Sequence, residues 1–104
     1  MSQFDNVSVV KAANVYFEGK VTSRTVVFAD GSKKTLGIML PGDYEFNTGA
    51  AEEMEVLGGQ VDILVAGDSE WQSFDGTGSF IVPANSSFKL KVVTPFDYCC
   101  HFLA

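Results

Sequence analysis

Apolar and polar residues alternate along this chain in short bursts, and no stretch keeps the three-to-four-residue spacing of an amphipathic helix. The clearest burst is SFKLKVV, residues 87–93, which puts Phe88, Leu90 and Val92 on one side of an extended chain and Lys89 and Lys91 on the other. Runs rich in Val, Phe, Ile and Thr recur between Gly and Asn/Asp signals. They predict strands near residues 15–17, 20–29, 33–39, 42–47, 53–57, 60–65, 70–74, 79–82, 87–93 and 97–103. Asp30-Gly31 and Gly58-Gly59 tolerate positive φ and predict two tight hairpins. Turns are expected at Pro41-Gly42 and over residues 83–87, where proline fixes φ and removes a ladder donor. So many short strands in so short a chain imply an all-β sandwich or a small barrel of the jelly-roll type.

Composition narrows this to one domain over residues 1–104, with 1–13 as an N-terminal arm or edge strand. The chain has 104 residues, 46% hydrophobic and 19% charged, enough to close one core without disulfides or metal. Its net charge of -6 repels nucleic acid and anionic membranes, so neither is an expected partner, and an anionic ligand must meet a local basic cluster. Cys99 and Cys100 are strand neighbours that point to opposite faces and do not pair with each other, which fits a reducing cytoplasm. The N-terminus lacks a basic start followed by an apolar run, and no segment is long enough to span a bilayer, so a cytoplasmic protein is expected.

The segment from Pro41 to Val92 resembles the two-motif core of the cupins, double-stranded β-helix barrels of jelly-roll type. In the first cupin motif, two histidines one residue apart precede a glutamate and a V-L-x-G turn. Here VLGG at 56–59 places Glu52 at the glutamate, while the histidine positions fall on Phe46 and Thr48, or on Glu45 and Asn47. In the second motif, Asn85 stands for the glycine and Phe88 for the histidine. Three of four ligands are missing, and a first-row metal needs several converging N, O or S donors, so no metal and no other cofactor is expected. The order YFEGKV, LGIMLPGDYEFNT, EEMEVLGGQVDILV, FIVPANSSFKLKV and DYCCHFLA further resembles the pyrimidine/purine nucleoside phosphorylase family of small metal-free cupins. That resemblance implies phosphorolysis of purine and pyrimidine nucleosides to free base and ribose 1-phosphate.

Such chemistry needs a phosphate-holding group, a proton or hydrogen bond for the departing base, and partners for the ribose hydroxyls. Glu52 shares strand parity with Met54 and Val56 and is expected to point inward, to bind ribose or stabilise positive charge at C1′. Tyr44 and Glu45 compete for that role, and Thr48 stands in a ligand position. Tyr44, Phe46, Phe88 and Tyr98 are candidates for a stacking wall that accepts any base, although such rings more often form core. His101 is a candidate acid for the leaving base. Lys34, then Arg24 and Lys20, are candidates for phosphate, against the alternative that they are solvated strand residues. Nucleosides and inorganic phosphate are the expected partners, together with a second copy of the chain, whose sheet edge the segment NVSVV could extend into a homodimer. The alternative reading is a non-enzymatic cupin that binds a sugar- or nucleoside-like metabolite.

Overall fold

The computed structural model describes residues 2–103. Eleven strands run in chain order: β1 (Ser8–Val9), β2 (Asn14–Tyr16), β3 (Val21–Val27), β4 (Lys33–Met39), β5 (Gly42–Asn47), β6 (Ala51–Gly58), β7 (Gln60–Val65), β8 (Gln72–Asp75), β9 (Gly78–Val82), β10 (Ser87–Val92) and β11 (Phe96–Leu103). A single 3-10 turn, Phe17–Gly19, is the one helical element among the described residues, and no helix there is long and apolar enough to cross a membrane.

The larger sheet has the order β1-β3-β4-β11-β6-β9, with β2 also paired to β3, and the smaller has the order β5-β10-β7-β8. Every pairing is antiparallel. The all-β cupin class is therefore the one expected: two antiparallel sheets face each other and are joined by side chains, the jelly-roll arrangement. Their inner faces meet in one apolar cluster that includes Val21, Met39, Met54, Val56, Ile63, Leu90 and Phe96. β10 buries Phe88, Leu90 and Val92 and exposes Lys89 and Lys91, as its alternation requires.

From β4 onward the chain changes sheet at every connection except β7–β8, and this overturns one of the two expected hairpins. At Asp30-Gly31 a hairpin does form, but its loop has three residues: Phe28 N–H donates to Ser32 O at 2.9 Å, and Gly31 takes φ +86°. Gly58-Gly59 is instead a corner between the sheets, since β6 belongs to the larger and β7 to the smaller. Gly59 has φ +103°, and a Cβ there would strike the carbonyl of Pro95, so the corner excludes other residues for two separate reasons. β1 pairs with β3 of its own chain, Ser8 opposite Val27 and Val9 opposite Val26, as the outer strand of the larger sheet. Residues 2–4 cross the outer face of the larger sheet, where Phe4 packs edge-on against Phe28 with ring centroids 5.1 Å apart.

Candidate active site

Strand parity sorts the larger sheet into two faces with different chemistry. On β11, Phe96, Tyr98 and Cys100 join the core, while Cys99 and His101 point the other way. On β6, Glu52 takes the inner face with Met54 and Val56, and Glu53 and Glu55 take the outer. The inner face borders a cavity of about 210 Å³ between the sheets, lined by Tyr16, Ser23, Thr35, Met39, Phe46, Asn47, Glu52, Met54, Phe88, Tyr98, Cys100 and Phe102. Small-molecule sites typically enclose roughly 300–1,000 Å³, so this cavity is smaller than most of them.

Glu52 supplies the carboxylate of that lining. Burial pushes its pKa above the usual carboxylate range, and a hydrogen bond from the Cys100 thiol offsets part of that effect. The thiol in turn is pushed up to about 12, first by burial and then by the negative charge of Glu52. The Tyr98 phenol is also raised, mainly by burial, with a hydrogen bond to Ser23 opposing. The Asn14 amide donates to Ser23 Oγ at 3.2 Å, which links β2, β3 and β11 through polar groups. Gly37 makes room for this arrangement: it lies opposite Tyr98 in the ladder, and a Cβ there would fall 2.6 Å from the Tyr98 hydroxyl. The aromatic wall stacks Phe46 on Phe88 at 5.9 Å and sets Tyr16 edge-on to Phe46 at 5.8 Å.

The expected site residues divide. Glu52, Phe46, Phe88 and Tyr98 come together around the cavity. Tyr44 does not: its ring is buried against Phe17, its hydroxyl donates to Leu40 O at 2.6 Å, and burial raises its pKa. Glu45 is exposed on the outer face of the smaller sheet, opposite Lys89 in the ladder. Thr48 is buried but acts on backbone. Its hydroxyl donates to Pro83 O at 2.6 Å and accepts from Ser86 N–H at 2.9 Å, which clamps the β5–β6 loop to the β9–β10 corner.

His101 is on the opposite face of the sheet from Glu52 and does not line this cavity. Its Nε2 lies 2.9 Å from Glu55 Oε1, and its Nδ1 meets Lys34 Nζ. The expected phosphate ligands are also elsewhere. Lys34 is on that outer face, Arg24 lies exposed with its Nε 3.4 Å from Lys11 O, and Lys20 is exposed where the 3-10 turn ends. No lysine, arginine or histidine among the described residues lines the cavity. Tyr16, Phe102, Ser23, Thr35 and Cys100 were not singled out for it from sequence, and Asn47 only as one alternative for a cupin histidine position. Parity with Glu52 and Tyr98 signals Cys100 and Phe102, but nothing local to β2 or β3 signals Tyr16 or Ser23.

Two facing antiparallel sheets around a small cavity with a polar centre define a cupin. An RmlC-like cupin from Shewanella frigidimarina superposes with a TM-score of 0.69 over 97% of this chain and 86% of its own, at 14% identity, a likeness of fold alone. The family is narrower: the pyrimidine/purine nucleoside phosphorylase profile matches residues 11–102, and the chain belongs to that family. A pyrimidine/purine nucleoside phosphorylase from Hydrogenovibrio crunogenus is 64% identical over 103 residues, 99% of each chain. The crystal structure of a protein of unknown function from an Acinetobacter species matches with a TM-score of 0.93 at 44% identity, covering 97% of this chain and 98% of that one.

Proposed function

We propose that this protein is a phosphorylase that exchanges the base of purine and pyrimidine nucleosides for inorganic phosphate, releasing free base and ribose 1-phosphate without a metal. The observation that carries the reading is a half-buried carboxyl, Glu52, set in a cavity walled by aromatic rings and neutral donors. It gains weight from the full-length relative named for that activity.

In the reaction the C1′–N bond breaks, the base leaves with its electron pair, and a phosphate oxygen bonds C1′. Ionised Glu52 accepts from the ribose hydroxyls and stabilises positive charge on the sugar ring, as carboxylates do in glycoside chemistry. Stacking on Tyr16 and Phe102 at the mouth tolerates either base class, because every base has a π-face. Phosphate, with no cation in the lining, is held by the neutral donors Asn47 and Thr35. Glu52 and Cys100 are the metal-type donors of the lining, too few for a catalytic ion.

The missing cation favours one competitor, a cupin that binds a nucleoside or sugar without cleaving it. Purified protein incubated with uridine or adenosine, with and without phosphate, separates the two by chromatography of the products. Base and ribose 1-phosphate are expected only when phosphate is present. Base release in its absence, or no release at all, overturns the assignment. Thr35→Val and Asn47→Ala are expected to raise KM for phosphate.

A further inference from the structure

We propose that the outer face of the larger sheet carries a zinc-class metal site built from Glu55, Cys99 and His101, separate from the Glu52 cavity. The donor atoms of these three side chains all lie within 4.8 Å of one another. Cys99 and His101 are two apart on β11 and so share a face, and Glu55 lies opposite Cys99 on β6. Tetrahedral zinc, with bonds of about 2.0–2.3 Å, sets donor separations of roughly 3.3–3.8 Å. The cluster must contract by about 1 Å at its widest, and Glu55, whose side chain is 44% exposed, is free to turn.

The donor types make this more than a chance polar contact. Thiolate, imidazole and carboxylate together select a borderline-soft ion such as Zn²⁺ over Mg²⁺ or Ca²⁺, which prefer oxygen alone. Cys99 is 1% exposed, yet it stands outside the core cluster, on a face where the neighbouring Leu36 and Leu57 remain exposed. A second cavity, of about 270 Å³, lies beside it and is lined by Glu55, Cys99, Leu36, Leu57 and the arm residues Ser2, Gln3 and Phe4. His101 does not line that space, which leaves room for a fourth ligand on the Glu55 and Cys99 side of the cluster.

Lys34 sets the cost of binding. An ammonium only donates, so His101 Nδ1 accepts from Lys34 and Nε2–H donates to Glu55. A metal on Nε2 takes the place of that proton, which moves to Nδ1. Lys34 must then withdraw, and the Cys99 thiol gives up its proton to the medium, one per ion bound. Lys34 is thus a built-in competitor for the imidazole.

Cobalt(II) titration of the full-length protein tests the site, because a thiolate ligand gives a charge-transfer band and tetrahedral geometry gives strong d–d absorption. The wild-type chain is expected to show both, and zinc is expected to displace the cobalt. His101→Gln and Glu55→Gln, both at partly exposed positions, are expected to weaken cobalt binding by more than the 10–100-fold that losing a supporting hydrogen-bond partner costs. Cys99→Ser is expected to abolish the charge-transfer band, and Lys34→Met to tighten binding several-fold. A zinc-dependent rise in Tm in the wild type, lost in His101→Gln, reports the same event without relying on the buried cysteine. No charge-transfer band in the wild type, a band that survives Cys99→Ser, or weaker binding in Lys34→Met overturns the proposal.

Discussion

At the scale of single residues, Glu52 carries opposing demands. Because burial raises its pKa in the folded protein, the folded chain holds its proton to higher pH than the unfolded chain does. Stability therefore falls as pH rises from the unfolded carboxyl's 4.5 through the folded value, while the ionised form that the proposed reaction uses grows over the same window. Glu52→Gln is expected to raise Tm at neutral pH, with the gain fading in acid. The same substitution is expected to lower kcat by about 10²–10³-fold, the scale of losing one preorganised electrostatic group. In the wild type, the acid limb of kcat/KM is expected above 4.5. A pH series of melting curves, with matching rate profiles, checks both signs. The inward placement of Glu52 was legible in sequence, because period-two parity with Met54 and Val56 is a local property. The same rule, applied across β11, would have separated His101 from Tyr98 and Cys100. It could not say whether Lys34 faces Glu52 or His101, since that depends on which strands become neighbours.

At the scale of elements, two corners between the sheets depend on glycines at positive φ. Gly59→Ala meets both an unfavourable φ and the Pro95 carbonyl. Gly76→Ala meets a similar φ, +104°, in open space. Gly76→Ala is expected to cost about 1–2 kcal/mol, the left-handed penalty alone, and Gly59→Ala distinctly more, by urea denaturation with unchanged m-value. Thr48→Val removes a hydroxyl that satisfies backbone groups of two different residues of the β9–β10 corner and is expected to cost about 1–3 kcal/mol. Strand positions were readable because alternation survives burial on one face. The corners were less so, because Gly-Gly serves a hairpin and a change of sheet equally well. The β6–β7 connection became a corner because β6 pairs with β11 and β9, contacts distant in sequence.

At the scale of the whole molecule, the two buried cysteines gauge how tightly the fold closes. Burial comes first in raising both thiols, Cys99 to about 11 and Cys100 to about 12. Neither is a nucleophile near neutrality in the native state. Iodoacetamide is expected to leave both unmodified in native buffer and to alkylate both in denaturant, as mass spectrometry would show; native labelling at Cys100 would mean the cavity opens readily. The sequence by itself determined the β class, the inward glutamate, the loss of the metal ligands expected of a cupin, and the family, because each is written in local alternation or in a contiguous motif. Only the tertiary structure decided how the strands divide between two facing sheets, that no lysine, arginine or histidine among the described residues lines the cavity, and that His101 joins Glu55 and Cys99 on the far face. Those outcomes rest on which strands pair across the chain and which side of a sheet each residue meets, and that is fixed by packing between residues far apart in sequence.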